Sequence, residues 1–260
     1  MKKIEPIILI PARMASTRLP DKPMADIHGE PMITHVWRRA IESGLGRVVV
    51  AAGESEIVDA ILAAGGEAIL TPSDLPSGTD RIHFALNAVD PDRKHNVVVN
   101  VQGDLPTLDT HLIHQAVDVL GDADMSTLAV EISDAQELDN PNVVKAVISL
   151  DKPRDGSPID QTASQISKAN GGRALYFSRA RVPYGDCPVY HHIGLYVYTR
   201  EALDTFVALP PSPLEVTEKL EQLRALEAGL SIRIAIAETI PLGVDTQEDL
   251  DRARVSLARD

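Results

Sequence analysis

Residues Ile8 to Pro23 read ILIPARMASTRLPDKP: an apolar run that stops at a loop carrying two arginines, a lysine, a serine and a threonine. The run belongs to Pro6–Ala12 (PIILIPA), apolar without alternation, which is the pattern of a strand covered on both faces. The stretch 31–44 (PMITHVWRRAIESG) spaces Ile33, Val36, Trp37, Ala40 and Ile41 for one helix face, with Gly44 as its stop. The next strand is predicted at 47–52 (RVVVAA), then a helix over 55–66 that ends in glycines. A strand at 67–71, a helix from about Thr79 to Val89 and a strand at 96–102 continue the alternation. Strand, helix, strand at this rhythm implies right-handed crossovers, hence an α/β fold with a mostly parallel central sheet and helices on both faces.

The second half is less regular. Strands are predicted at 125–132 and 142–150, and 151–172 is polar and turn-rich, an exposed excursion. RALYFSRARVPY (173–184) and VYHHIGLYVYT (189–199) read as further β-structure. In PPSPLEVTEKLEQLRALEAG (210–229), Ser212 caps a helix, Pro213 fits its first position and Glu215 closes a capping box. Read as one helix, this segment puts Val216, Leu220 and Leu223 on one face and lets Glu218 and Glu221 point the same way. That pair also fits a solvated acidic stripe.

A chain of 260 residues fits one large domain or two small ones. With 38 acidic against 25 basic residues the net charge is −13, which argues against a general nucleic-acid binder. One phosphate site remains compatible with it, because local cations outweigh distant charge within a Debye length of about 8–10 Å. The single cysteine, Cys187, rules out an internal disulfide or a multi-cysteine zinc site. No apolar stretch approaches the ~18–20 residues that span a bilayer, and Ile7–Ile10 is too short for a signal peptide. The expectation is a cytoplasmic protein without membrane insertion.

The opening loop has the chemistry of a polyphosphate site. Arg13, Arg18 and Lys22, with the hydroxyls of Ser16 and Thr17, are spread widely enough to surround several phosphates. The loop lacks both G-x-x-x-x-G-K-[ST] and G-x-G-x-x-G, so it is neither a Walker loop nor a dinucleotide fingerprint. The same residues also fit a basic surface loop with no ligand. Phosphates bring Mg²⁺, which takes oxygen ligands and usually one or two carboxylates. Asp104 follows an apolar strand in VVVNVQGDLPT, and Asp245 precedes a helix that Thr246 can cap. Both lie where open α/β sheets collect ligands, and both also fit plain turn aspartates.

The chain resembles the 3-deoxy-manno-octulosonate cytidylyltransferases almost end to end. IPARMASTRLPDKPMADIHGEPMITHVW is similar to the family's nucleotide loop and first helix. PSGTDRI, NVQGDLPTLD, NPNVVKAV, ALYFSRARVPY, YHHIGLYVYTREAL, PPSPLEVTEKLEQLRALEAG and PLGVDTQEDLDRAR follow in family order. The first motif alone indicates a sugar nucleotidyltransferase, and the HHIG and SPLE…LEQLR blocks are more specific.

The resemblance implies a Rossmann-like nucleotidyltransferase fold in a single domain over 1–260, and a homodimer using a β-rich, sugar-side segment near 174–198. It implies transfer of CMP from CTP to the anomeric hydroxyl of 3-deoxy-D-manno-octulosonate (KDO), giving CMP-KDO and pyrophosphate for lipopolysaccharide synthesis. By motif, Arg13, Ser16, Arg18 and Lys22 contact CTP, with Ser77, Gly78, Thr79 and Arg81 near base and ribose. Gln102 matches a substrate contact, for nucleotide or sugar, and Asp104 and Asp245 match the Mg²⁺ carboxylates. His192, Tyr196, Glu218, Glu221 and Gln222 match the sugar side, and Lys22, Asp104 and Asp245 the catalytic set. Close alternatives are cytidylyl transfer to amino-KDO or sialic acid, or a non-catalytic nucleotide-binding homologue. Three positions depart from the usual family pattern: Gly53, where an aspartate is frequent, Leu105 in place of glutamate, and His191 in place of arginine.

Overall fold

The computed structural model describes residues 4–16, 18–151 and 171–258. In chain order the elements begin with β1 (Pro6–Ala12), a 3-10 turn (Lys22–Met24), β2 (Asp26–Ile27), β3 (Glu30–Pro31) and α1 (Met32–Glu42). They continue with β4 (Arg47–Ala52), α2 (Ser55–Ala63), β5 (Ala68–Leu70), α3 (Gly78–Val89), β6 (Val97–Asn100) and α4 (Thr110–Leu120). Then come β7 (Met125–Glu131), α5 (Ala135–Leu138), β8 (Lys145–Leu150), β9 (Gly171–Ser178) and β10 (Tyr190–Thr199). The chain closes with α6 (Arg200–Ala208), α7 (Pro213–Glu218), α8 (Gln222–Glu227), β11 (Ile232–Ala237) and α9 (Gln247–Ser256). Two compact units result: 1–114 with 241–260, and 115–240.

In the first unit β5, β4, β1 and β6 lie side by side in that order, all parallel, with Ile8 opposite Val48 on one side and Val99 on the other. Every residue of β1 after Pro6 is buried, as a strand with two covered faces requires. The crossover helices end where glycine lets them. Gly44, after α1, has φ of +65°, and Gly65, after α2, has φ of +82°. α3 starts at Ser77, whose hydroxyl accepts from the Thr79 and Asp80 amides. α9 starts with a reciprocal capping box between Thr246 and Asp249. Leu19 of the opening loop packs in one apolar cluster with Ile27, Met32, Val244, Leu250 and Ala253. Burying a leucine contributes roughly 1.5–3 kcal/mol, so this contact anchors the loop beside the segment that carries Asp245.

The second unit corrects the expectation of a mostly parallel sheet. Among the described residues of that unit, β7 and β11 pair parallel, and β7–β10, β8–β10, β9–β11 and β8–β9 are antiparallel. Three of these antiparallel pairs, β7–β10, β8–β10 and β9–β11, join strands that are not consecutive in the chain. The unit's strands show the difference: β10 breaks its burial repeatedly, where β1 is buried from Ile7 to Ala12. The segment around 213–227 is a second correction. The capping box of Ser212 and Glu215 forms, with Pro213 at the first helical position. The helix then stops at Lys219, which adopts a left-handed φ of 55°, and α8 begins at Gln222. Leu220 and Leu223 are buried, but Val216 is 65% exposed and does not share their face. The excursion predicted over 151–172 falls mainly outside the described residues.

Candidate active site

The loop ends of the first unit enclose an open cleft of ≈ 440 Å³, lined among others by Arg13, Ser16, Arg18, Lys22, Ser77, Gly78, Arg81, Gln102, Asp104 and Asp245. Nearly all the residues predicted for the nucleotide therefore meet in one place. Thr79 lies one residue further into α3 and is buried, and Thr17 falls outside the described residues.

Backbone ties explain why the cleft holds its shape. Gly103 follows the β6 strand so closely past β1 that a Cβ there would lie 2.6 Å from the Pro11 carbonyl oxygen. Only glycine permits that approach. The next residue, Asp104, accepts a hydrogen bond at its carbonyl from the Val244 amide, 2.9 Å away. Nearby, the Leu242 amide donates to the Thr107 hydroxyl at 3.2 Å. These bonds bring Asp245 beside Asp104, although the two are far apart in sequence. The Lys22 ammonium bridges them, 2.8 Å from Asp104 Oδ2 and 3.0 Å from Asp245 Oδ1. Arg18 reaches the other oxygen of Asp245, Oδ2, at 2.9 Å, although its side chain is 60% exposed. Burial lowers the Lys22 pKa, but the Asp104 charge and the hydrogen bonds that Lys22 donates to both aspartates outweigh it, so the net shift is upward.

Four cationic side chains line the cleft against two carboxylates, Arg13, Arg18, Lys22 and Arg81 facing Asp104 and Asp245. The surplus is positive in a chain of net charge −13, and it suits a polyanion. Arg81 is buried. One amino group donates to the Thr71 hydroxyl and to the Pro72 carbonyl at 3.1 Å. Its other amino group has no hydrogen-bond partner among the described residues. Burial lowers the Arg81 pKa, Glu54 works against that shift, and Arg13 adds to it.

Sequence reasoning missed the supports. The Glu54 carboxylate accepts from the Met14 amide at 2.8 Å and so holds the base of the opening loop. Thr71 passes its own hydroxyl to the Ala52 carbonyl while receiving Arg81. Glu54 stands just after the carboxyl end of β4, and that position was the available signal.

The sugar-side candidates lie in the second unit. His192 is buried, with Nε2 3.0 Å from the Thr127 hydroxyl, and its ring packs against Phe177 (centroids 4.9 Å) and Tyr196 (5.4 Å). Burial, with a smaller contribution from His191, lowers the His192 pKa to about 3, so the ring is neutral at neutral pH. Burial also holds the Tyr196 hydroxyl well above the usual tyrosine range. Glu218 is not part of a solvated stripe. One carboxylate oxygen accepts from Ser178 (2.7 Å) and Tyr176 (3.3 Å), and the other accepts from the Arg179 amide (2.8 Å). Burial raises its pKa, but these bonds win and the net shift is downward. Glu221 sits half-buried at the start of α8, and the neighbouring Gln222 is buried with its amide nitrogen unpartnered among the described residues.

A family model described as Cytidylyltransferase matches residues 7–234. The 3-deoxy-manno-octulosonate cytidylyltransferase of Parvibaculum lavamentivorans is 60% identical over 98% of this chain and 93% of its own length. The protein of the same name from Rhodospirillum rubrum is 59% identical over 97% of this chain and 95% of its own length. The chain belongs to the 3-deoxy-manno-octulosonate cytidylyltransferase family. A solved structure of CMP:2-keto-3-deoxy-manno-octonic acid synthetase complexed with CTP is similar with a TM-score of 0.82 and 34% identity, covering 97% of this chain and 98% of that one. The 4-diphosphocytidyl-2C-methyl-D-erythritol synthase of Anaerococcus prevotii shares the fold alone, at TM-score 0.61 and 13% identity.

For a cytidylyltransferase of this family, the three departures have local accommodations. A Cβ on Gly53 would meet Arg13 Cβ and the Arg81 guanidinium, each at 3.2 Å, so the glycine leaves Arg81 its room. Leu105 is buried, and a Cβ on Gly243 would lie 3.8 Å from its Cδ2. His191 Nδ1 lies 3.9 Å from Glu137, and burial lowers the His191 pKa. No described helix is long and apolar enough to cross a membrane.

Proposed function

We propose that the chain transfers CMP from CTP to the anomeric hydroxyl of KDO, releasing pyrophosphate and forming CMP-KDO. The observation that carries this reading is the cleft itself, where the cationic loop, the Ser77–Gly78 turn with Arg81, and the Asp104–Asp245 pair converge. The names of the full-length relatives support the same substrates.

In this reading Arg13, Arg18 and Lys22 bind the triphosphate and take up the charge that develops on the departing pyrophosphate. Ser77, Gly78, Thr79 and Arg81 shape the base and ribose side. The unpartnered Arg81 amino group is a donor held ready for a nucleotide acceptor. The sugar oxygen forms a bond to the α-phosphorus as the bond to pyrophosphate breaks, and the hydroxyl proton is lost. Positioning and charge stabilisation carry the rate, with no covalent enzyme intermediate.

The donor chemistry suits Mg²⁺. Two carboxylates on separate loops already converge on one cation, the Lys22 ammonium, and Mg²⁺ is held by one or two carboxylates together with substrate phosphates. Asp104 and Asp245 would hold it, and it would supply charge neutralisation at the phosphate and acidify the attacking hydroxyl. On the sugar side, Glu218 and Glu221 can accept hydrogen bonds from hydroxyls but repel a carboxylate. Gln222 offers the unpartnered amide donor, Tyr196 keeps its proton, and Gln102 serves either substrate. The reading extends to a Rossmann-like nucleotidyltransferase fold, a cytoplasmic setting and a homodimer formed near 174–198, where Leu175 and Tyr184 are exposed.

Incubation with CTP, KDO and MgCl₂, followed by mass spectrometry, tests the product. A cytidine monophosphate ester of the sugar is expected. Free CMP or CDP without the ester would contradict the proposal.

A further inference from the structure

Three of the carboxylate oxygens on the acid pair face protein cations. Lys22 contacts Asp104 Oδ2 and Asp245 Oδ1, and Arg18 contacts Asp245 Oδ2. The charges of these four side chains cancel. A divalent cation arriving alone meets a neutral cluster whose ammonium already sits between the carboxylates. A nucleoside triphosphate changes that balance by offering Lys22 and Arg18 other anions. Lys22 is well placed to exchange. Its backbone lies in the short 3-10 turn of the opening loop, and its side chain lines the same cleft as Arg13, Ser16 and Arg81.

We infer that Lys22 is an internal competitor for the divalent cation: it holds the Asp104–Asp245 pair closed to metal in the nucleotide-free chain and yields it when the triphosphate draws its ammonium away. Metal and nucleotide therefore load together. An empty cleft does not accumulate metal, and the lysine that screens the carboxylates becomes the one that grips the phosphates. The inference rests on the proposed metal role of Asp104 and Asp245. Removing a unit positive charge about 4 Å from a cation changes affinity by at least about fivefold even at the dielectric constant of water.

The test is Mn²⁺ binding to the full chain, read from the electron paramagnetic resonance signal of free Mn²⁺. Wild type, Lys22→Gln, Lys22→Arg and Asp104→Asn are titrated with and without CTP, against CTP-only controls, after circular dichroism shows each variant folded. Without nucleotide, Lys22→Gln is expected to bind Mn²⁺ at least about fivefold more tightly than wild type, with Lys22→Arg close to wild type. With CTP the advantage of Lys22→Gln is expected to vanish or reverse. Equal nucleotide-free affinity in wild type and Lys22→Gln would overturn the inference. If Asp104→Asn still lowers Mn²⁺ uptake by the CTP-loaded protein, that failure belongs to the lysine alone. If Asp104→Asn takes up Mn²⁺ as wild type does under both conditions, the metal reading falls and the inference with it.

Discussion

The carbonyl oxygen of Asp104 accepts a hydrogen bond from the amide of Val244 at 2.9 Å, and this main-chain tie sets the Asp245 carboxylate beside that of Asp104. The tie does not involve either carboxylate, so the chemistry of the pair can be altered without undoing the fold around it. Asp104→Asn is expected to keep the wild-type melting temperature within a few degrees and to lower turnover by at least about a hundredfold, the size of one lost electrostatic stabiliser. Steady-state kinetics beside a thermal melt checks both halves. Normal turnover removes Asp104 from the chemistry.

Leu19 ties the cationic loop to the cluster that includes Val244 and Leu250. Leu19→Ala is expected to cost about 2–5 kcal/mol in urea unfolding, because the vacated space can collapse only partly. It is also expected to raise the KM for CTP, since Arg18 and Lys22 flank the lost contact. A stability loss with an unchanged KM would show that the loop is positioned by other contacts.

The buried ring of His192 gives a pH signature. Its folded pKa is lowered to about 3, whereas an unfolded histidine titrates near 6.5. Between those values the unfolded chain binds a proton that the folded chain refuses, so stability falls as pH drops through the window, by up to about 1.4 kcal/mol per pH unit. His192→Asn is expected to flatten that slope when urea unfolding is compared at pH 7, 6 and 5. Parallel slopes in variant and wild type would contradict the assignment.

Glu218 fastens the end of β9 to α7 through Ser178, Tyr176 and the Arg179 amide. Glu218→Gln is expected to destabilise the chain by about 1.5–3 kcal/mol, the range for hydrogen bonds to a charged group. If the carboxylate also meets the sugar, the KM for KDO rises in the same variant. Unchanged stability would return Glu218 to the solvated stripe that its sequence spacing also allowed.

Much of this was legible before any coordinates. β1, β4 and β6 announce themselves because a strand buried on both faces is an uninterrupted apolar word, as Ile7–Ile10 and Val97–Val99 are. Helix starts at Ser212 and Thr246 were readable because capping is local chemistry, whereas the Ser77 cap came to light only in the fold. Two things were not local. The left-handed turn at Lys219 interrupts a stretch whose periodicity reads as one helix, and a lysine gives no warning of positive φ. The antiparallel pairings of the second unit depend on which distant strands meet, and strand patterns do not encode partners. In the cleft, residue types identified the cations and carboxylates. Their mutual engagement through Lys22, and the buttress from Glu54, required the fold to be closed.

The central claim is CMP transfer to KDO, and pyrophosphate release by the purified chain tests it most directly, with CTP, KDO and MgCl₂ each omitted in turn and with UTP or sialic acid substituted. The account predicts release that needs all three components and fails with either substitute. Release with sialic acid but not KDO, or none with any sugar while CTP still binds, would contradict it.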